Sequence, residues 1–243
     1  MFGAIEAGGT KFICGIGTGP ENLQTEEIPT AAPDATVEAA TAFLRARAGS
    51  SLRAVGIASF GPVDLRPGST TYGYITSTPK AGWRQYDLAG AVRKALGVPI
   101  GFNTDVNGAA LGEARWGAAQ GLDDFLYLTV GTGVGGGAMI GGRLLHGLLH
   151  PEMGHIRVPH DWANDPYPGN CPYHGDCLEG LASGLCSRRG WEPMPECWGR
   201  WCWRSRRSLT PEAANVRTQS IRGSAPEAGS APKESVGPSA DAR

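Results

Sequence analysis

Two cysteines and two histidines lie close together in the second half of this 243-residue chain. Cys171, His174 and Cys177 follow one another at three-residue intervals, and His155 lies 16 residues before the first of them. Two thiolates and two imidazoles suit a tetrahedral Zn²⁺ ion, so this spacing predicts a zinc site built on a loop. Incidental cysteines beside surface histidines are the alternative, because the spacing is not that of a standard zinc finger.

Two carboxylates, Glu152 and Glu179, are interleaved with these ligands. A metal ion that fixes the loop would also fix the direction in which both carboxylates point. We therefore interpret the segment as one wall of a site for a polar ligand.

Two glycine-rich turns have the composition of phosphate-binding loops. In the first, a carboxylate, Glu6, precedes Gly8 and Gly9, whose bare amides could contact phosphate oxygens together with Thr10 and Lys11. Glu6 itself would need a Mg²⁺ ion, or a water molecule bound to one, between its charge and the phosphate. An ordinary hairpin turn is the alternative.

The second turn contains Gly131, Thr132 and Gly133 and follows a predicted strand. With Gly136 it has the G-x-G-x-x-G spacing of a dinucleotide-binding site, which is one alternative. That site needs a helix next, and residues 138–142 form a poor helix. It also needs an acidic residue at the end of a strand about 20 residues on, and the nearest candidate, Glu152, lies in a loop. A hairpin turn that binds phosphate through its amides and Thr132 fits the sequence better.

Asp105 follows a predicted strand and begins a predicted helix, where the helix dipole favours its ionised form. A carboxylate held in a ligand cleft can accept a hydroxyl proton as phosphoryl transfer proceeds. A plain N-cap aspartate is the alternative. Asn103 and Asn107 flank Asp105, and their amides suit sugar hydroxyls.

Alternating strands and helices are predicted to position these residues. Strands are predicted at 2–7, 12–16, 53–60, 98–103, 125–130 and 134–140, and helices at 35–48, 86–96 and 106–116. The first helix should bury one stripe, formed by Val37, Ala40, Thr41, Leu44 and Ala48. Hairpins mixed with strand–helix alternation predict an α/β fold.

Charge and composition exclude several kinds of protein. A formal net charge of −1 gives no general attraction to nucleic acid or membranes, and no apolar run reaches the ~18 residues of a membrane span. The N-terminus shows no signal peptide, which with six cysteines predicts reduced thiols and a cytoplasmic location. Residues 185–243 contain only five Leu, Ile, Val or Phe, so we expect this segment to be disordered and of low complexity.

Together these motifs resemble the ROK family of sugar kinases, in the actin-like, hexokinase-like ATPase superfamily. The resemblance covers residues 1 to about 184 and implies two RNase H-like lobes, 1–104 and 105–184, each with one phosphate loop. It implies ATP and Mg²⁺ as cofactors, with Asp105 in the motif Asn103 to Asn107 as the catalytic base. Three residues match family positions that hold sugar hydroxyls: Glu152, His155 and Glu179. The family's zinc site is matched by His155, Cys171, His174 and Cys177.

Cys-x-x-His-x-x-Cys, with Glu6 in place of the commoner Asp, is similar to the bacterial fructokinase branch, as are residues 59–62 and 72–80. The resemblance implies transfer of a phosphoryl group to the 6-hydroxyl of fructose, and a homodimer is possible. Glucokinase or mannokinase activity, or an inactive sugar- or zinc-binding fragment, are alternatives. A ROK repressor would need an N-terminal helix-turn-helix, and this chain begins with the first kinase strand.

The sequence departs from the family pattern after Gly184. The family's later helices, adenosine-binding loop and last strands are not visible, which predicts a truncated second lobe and a poor kinase. Four of the seven tryptophans fall between 191 and 203, and this sudden change favours a shift of reading frame. An appended tail is the alternative, because residues 200–207 interleave Arg with Trp as some nucleic-acid-binding segments do; we nevertheless expect no nucleic-acid partner.

Overall fold

The structure is a computed structural model, and it describes residues 1–147, 151–184, 191–193 and 203–205. All of these belong to one compact unit, Met1–Arg206. Most of the segment predicted to be disordered, 185–243, lies outside the described residues; within it, Trp191–Pro193 and Trp203–Ser205 are paired antiparallel strands. None of the helices in the described part of the chain has both the length and the hydropathy of a membrane-spanning segment.

The elements combine strands and helices in the order expected of an α/β fold. The strands are β1 (Phe2–Ala7), β2 (Lys11–Gly17), β3 (Gln24–Pro29), β4 (Ala54–Ser59), β5 (Tyr74–Ile75), β6 (Tyr86–Asp87), β7 (Ile100–Thr104), β8 (Phe125–Val130), β9 (Val134–Ile140) and β10 (Arg143–Leu144). The helices are α1 (Pro33–Ala48), α2 (Leu88–Leu96), α3 (Asp105–Trp116) and α4 (Leu178–Ala182). The strands and helices predicted from the sequence are confirmed in type, and most ends agree within two residues.

The first sheet has five strands in the order β3-β2-β1-β4-β7. β1, β2 and β3 are antiparallel, whereas β4 and β7 continue the sheet in parallel with β1. The parallel arrangement places the carboxyl ends of β1, β4 and β7 at one edge. Glu6 and Asp105 therefore both lie at this edge, at or just after a strand end.

Helix α1 packs against this sheet through the stripe predicted from its sequence. Val37, Ala40 and Leu44 are buried, as are Thr41 and Ala48, because their spacing places them on one face of the helix. The same core contains a loop residue that hydrophobic periodicity does not reveal. Trp83 is fully buried and donates its indole N–H to the carbonyl of Ala31 at 3.0 Å.

Two elements differ from the sequence prediction for local reasons. Helix α2 begins at Leu88 rather than 86, because Asp87 caps it by accepting a hydrogen bond from the amide of Gly90 at 2.8 Å. Tyr86 and Asp87 instead pair with Tyr74–Ile75. Strand β3 was not predicted, because this edge strand is mostly exposed and has no alternating apolar residues.

The second sheet has three strands in the order β10-β9-β8, and helix α3 lies between it and the first sheet. A Cβ atom at Gly108 would lie 2.5 Å from that of Ala58 on β4. A Cβ atom at Gly137 on β9 would lie 2.3 Å from the carbonyl oxygen of Val106. Glycine at both positions lets α3 approach both sheets, which fixes its first turn beside the β8–β9 turn. The lobe boundary at 104/105 remains a prediction.

Candidate functional site

A cleft of about 880 Å³ brings half of the predicted site residues together. Its wall includes Asp105 from the start of α3, the β8–β9 turn, and the segment that carries the four predicted zinc ligands. The lining residues that could bind a ligand or take part in a reaction are Thr104, Asp105, Gly131, Thr132, Gly133, Glu152, His155, His174 and Glu179. The turn at 8–11 and Asn103 do not line this cleft.

Asp105 is oriented by the first turn of α3. Thr104 is the residue that caps the helix, since its hydroxyl oxygen accepts a hydrogen bond from the amide of Asn107 at 3.2 Å. Asp105 is the first helical residue, and its Oδ1 accepts from the amide of Val106 at 2.8 Å. The alternative of a plain N-cap aspartate therefore does not hold, because Thr104 has that role and Asp105 faces the cleft.

The two asparagines that flank Asp105 are used within the protein. Asn107 is buried, and its amide donates to Asn103 Oδ1 at 3.0 Å and to the carbonyl of Leu145 at 3.3 Å. Asn103 lies in a neighbouring cavity of about 640 Å³, where its Nδ2 is 3.1 Å from His146 Nε2. The structure thus places Thr104, rather than Asn103, in the cleft with the other candidate substrate ligands.

The first glycine-rich turn closes β1 onto β2. The amide of Gly8 donates to the carbonyl of Lys11 at 3.0 Å, and a Cβ atom at Gly8 would lie 2.6 Å from that oxygen, so the turn has no room for a side chain. Gly9 and Thr10 are exposed. Lys11, predicted to contact phosphate, forms an ion pair with Glu27 on β3 at 2.8 Å.

Glu6 and Asp105 are close enough for their charges to interact. Partial desolvation of the Glu6 carboxylate raises its pKa, Asp105 raises it further, and Lys11 opposes both effects. Two carboxylates that repel each other at a strand edge favour a cation between or beside them. Oxygen ligands of this kind suit Mg²⁺, which usually binds through one or two carboxylates together with substrate phosphates.

The second glycine-rich turn joins β8 to β9, so a strand follows it and a dinucleotide-binding helix is absent at this point. The amide of Gly131 donates to the carbonyl of Gly133 at 2.8 Å, which closes the turn. Thr132 is exposed and lines the cleft. Backbone amides and a hydroxyl presented in this way can contact phosphate oxygens.

The four predicted zinc ligands converge, with their ligand atoms all within 4.8 Å of one another. His155 Nδ1 lies 3.5 Å from Cys171 Sγ and 3.6 Å from Cys177 Sγ, and His174 Nδ1 lies 3.7 Å from Cys171 Sγ. In a tetrahedron with ordinary Zn–S and Zn–N bonds, sulfur and nitrogen ligands are about 3.6 Å apart. These three separations therefore match those around a four-coordinate Zn²⁺ ion.

The loop 171–177 carries three of the four predicted zinc ligands and is called the metal loop below; it contains a tight turn with glycine at its left-handed position. Cys171 and Gly175 exchange backbone hydrogen bonds of 3.3 and 3.0 Å, and Gly175 has a φ of 64°. Cβ atoms at Gly169 and Gly180 would lie 2.0 and 1.8 Å from the carbonyl oxygen of Gly175. The loop thus packs backbone to backbone against the start of α4, which directly follows Cys177.

His155 faces the metal loop on one side and the cleft on the other. Its Nδ1 is directed to the two cysteine sulfurs, whereas its Nε2 lies 3.9 Å from Glu179 Oε1. A metal bound at Nδ1 would place the ring proton on Nε2. One residue can therefore be a metal ligand and a hydrogen-bond donor toward a substrate, as the sequence prediction assigned it.

Sequence reasoning missed two residues around this loop. Tyr173 is 79% exposed, lines the cleft and packs edge-on against His155 with ring centroids 6.0 Å apart. His160 is largely buried between Asp176 at 3.3 Å and Asp165 at 3.6 Å. Tyr173 lies between two predicted ligands in the sequence and could have been suspected, but nothing in the spacing of His160 indicates its partners.

Comparison with solved structures gives two similar kinases. A ROK-family glucokinase from Streptomyces griseus, in complex with glucose and AMPPNP, is 33% identical with a TM-score of 0.58; the match covers 74% of this chain and 56% of that one. A ROK hexokinase from Thermus thermophilus is 32% identical with a TM-score of 0.58, covering 74% and 59% of the two chains. The mixed α/β architecture is that of the actin-like, hexokinase-like ATPase fold.

Comparison with curated sequences gives fructokinases at higher identity. A Bacillus subtilis protein, named provisionally as a fructokinase, is 53% identical over 192 residues, covering 79% of this chain and 63% of its relative. The fructokinase of Zymomonas mobilis is 46% identical over 198 residues, covering 79% and 65%. This chain thus spans less than two thirds of the length of these relatives. The sequence model of the ROK family matches residues 2–222, and the chain belongs to the ROK family.

Proposed function

We propose that this chain is a fructokinase-type sugar kinase, which transfers the γ-phosphoryl group of ATP to the 6-hydroxyl of fructose. One observation carries the proposal: a single cleft is lined by Asp105, by the second glycine-rich turn and by the segment with the four predicted zinc ligands, which is called the metal cluster below. A base, a set of phosphate-binding amides and a polar wall are what phosphoryl transfer to a hydroxyl requires, because its catalysis depends on positioning and electrostatics.

Asp105 is the proposed general base. Its hydrogen bond from the Val106 amide fixes the carboxylate, and the start of α3 favours its charged form. The carboxylate would accept the proton of the 6-hydroxyl as that oxygen bonds to the γ-phosphorus and the bond from the γ-phosphorus to the ADP oxygen breaks. Asn103, by contrast, is left out of the proposed sugar contacts, because it lies in the adjoining cavity.

Glu152, His155 and Glu179 are proposed to hold the sugar. All three line the cleft, and the carboxylates can accept hydrogen bonds from sugar hydroxyls while His155 donates one from Nε2. Two groups of relatives bear on the choice of hexose: the fructokinases above are 46–53% identical to this chain, whereas the glucokinase of Streptomyces coelicolor is 37% identical. This difference supports fructose over glucose as the substrate.

Three cofactors belong to the proposal. ATP phosphates would bind the amides and Thr132 of the second turn. The first turn does not line this cleft, and its Gly8 amide is already bonded to the Lys11 carbonyl, so the exposed Gly9 and Thr10 are its better candidates for a phosphate contact. Mg²⁺ would be held near Glu6 and would neutralise phosphate charge. Zn²⁺ would be held by His155, Cys171, His174 and Cys177, where its role is to fix the loop. Lys11 is a weaker candidate for phosphate, because its ammonium group is already paired with Glu27.

A coupled assay that measures ADP formation tests the proposal. The purified chain is supplied with ATP, Mg²⁺ and one hexose, and fructose should give a higher kcat/KM than glucose or mannose. Asp105→Asn, purified identically, shows whether turnover belongs to this chain rather than to a contaminating kinase. Faster turnover of glucose or mannose would replace fructose as the substrate. Bound zinc without turnover of any hexose would instead indicate an inactive sugar- or zinc-binding protein.

A further inference from the structure

The segment that carries the metal cluster also holds the second glycine-rich turn in place. Glu179 Oε2 accepts a hydrogen bond from the amide of Val134 at 3.0 Å. Five residues further on, the amide of Gly184 donates to the carbonyl of Gly131 at 2.5 Å. Both ends of the turn are therefore tied to helix α4 and the two residues after it, which follow Cys177 in the chain.

A third contact comes from the short 3-10 turn Met153–His155. A Cβ atom at Gly154 would lie 1.9 Å from the carbonyl oxygen of Val134, so the two backbones are in direct contact. Gly133 similarly leaves room for the Glu179 carboxylate, since a Cβ atom there would lie 2.8 Å from Oε2. Gly154, next to His155, and Glu179, two residues after Cys177, thus pack against one side of the turn.

Glu179 is the side chain that joins these parts. It lies on the first turn of α4, two residues after Cys177, and it is about three-quarters buried, with 25% of the side chain exposed. One carboxylate oxygen accepts a hydrogen bond from the Val134 amide, and the other is directed to His155. A carboxylate that accepts a backbone N–H forms a charge-assisted hydrogen bond, which is stronger than a neutral one.

We propose that the metal cluster anchors the second glycine-rich turn as well as the sugar wall, and that Glu179 is the positioning residue that links them. Loss of the metal would then loosen the turn that receives ATP phosphates, although none of its residues is a metal ligand. The inference rests on the proposed function only in taking this turn to be a phosphate loop. The mechanical link itself depends on the contacts of Glu179, Gly154 and Gly184.

Hydrogen exchange followed by mass spectrometry tests the link on the full chain loaded with zinc. The peptide that covers residues 129–137 reports on the turn, and the peptide over Phe2–Gly17 reports on a distant part of the fold. Glu179→Ala should accelerate exchange in the turn by about 10-fold or more, the effect of losing one charge-assisted hydrogen bond. Glu179→Gln should restore most of the protection, because its amide oxygen can still accept from Val134.

Glu113→Ala is the matched control. Glu113 Oε2 also accepts a backbone N–H, from Ala118 at 2.8 Å, but at the far end of α3. Its loss should leave exchange in the turn unchanged. Removal of zinc from the unsubstituted chain with a chelator should accelerate exchange in the turn as Glu179→Ala does.

Unchanged protection of the turn after chelation overturns the proposal, as does a chain that takes up no zinc. Unchanged protection in Glu179→Ala removes Glu179 as the link. If Glu179→Ala unfolds the chain, exchange over Phe2–Gly17 also rises, and the chelation experiment then decides. A failure of the proposed function is seen separately, as absence of phosphorylated fructose, and it leaves the exchange result valid.

Discussion

Replacement of one cysteine in the metal cluster tests the zinc site most directly. In Cys171→Ser, a thiolate ligand is exchanged for an alcohol that does not ionise near neutral pH. Three sulfur–nitrogen separations of 3.5–3.7 Å match those of a tetrahedral site, so the fold brings these ligand atoms together. We therefore expect affinity typical of structural zinc, roughly 10–16 kcal/mol, which corresponds to a Kd between tens of nanomolar and a few picomolar.

Loss of one of four ligands should remove about a quarter of that energy, or ~3–4 kcal/mol, and weaken zinc binding by ~10²–10³-fold. Metal analysis of the purified chain should give about one zinc per molecule, and competition with a coloured chelator should measure the change in affinity. Cys14→Ser is the matched control. Burial raises the pKa of Cys14 to about 12, so this thiol on β2 remains protonated and should not bind zinc.

The site assignment fails if the folded unsubstituted chain contains no zinc. It also fails if Cys171→Ser retains zinc as tightly as Cys14→Ser does. Equal loss of zinc in both variants would indicate a general defect in folding rather than a specific ligand.

Three further predictions concern catalysis, charge and the core. Asp105→Asn should lower kcat by roughly 10²-fold or more while the Kd of fructose, measured by calorimetry, changes only a few-fold, because the amide keeps most of the hydrogen-bonding geometry; near-normal kcat would leave Asp105 a structural role. The pKa of Glu6 is raised in the folded chain, so its ionised form is unfavourable there, and Glu6→Gln should raise Tm at pH 7 in the absence of Mg²⁺. The gain should vanish below the ordinary glutamate pKa of about 4.3, because Glu6 is then protonated in both the folded and the unfolded chain. A Tm gain that is independent of pH would contradict this explanation. Trp83→Ala should lower the free energy of unfolding by about 3–5 kcal/mol in urea titrations, because the indole is fully buried and packs against Phe12 and Tyr86 with both centroid distances 5.4 Å; a loss below about 1 kcal/mol would show that the site collapses around the missing ring.

Much of the local structure could be predicted from the sequence, because it depends on periodicities within one segment. The apolar stripe of α1 recurs at helical intervals, and the strands β1, β8 and β9 are bounded by glycine turns. Zinc-ligand candidates were equally accessible, since few other residue types bind that ion and their spacing is short. Edge strand β3 was missed because it buries almost nothing and so carries no periodic signal.

The partners of individual side chains depended on the tertiary structure. Sequence proximity grouped Asn103 with Asp105, but Asn103 lies on β7 whereas Asp105 begins α3, and the two side chains line different cavities. Lys11 sits next to a glycine turn in the sequence, yet the pairing of β2 with β3 brings Glu27 within 2.8 Å of it.

The sequence by itself determined which residues could carry chemistry: a base after a strand, two glycine turns and four metal ligands. Only the tertiary structure decided that Glu179 reaches the amide of Val134, 45 positions earlier in the chain. No local pattern encodes such a contact, because it depends on how the metal loop, α4 and the β8–β9 turn pack together. The physical reason is that residue type and spacing specify local conformation, whereas contacts between distant segments depend on the folded packing of the chain.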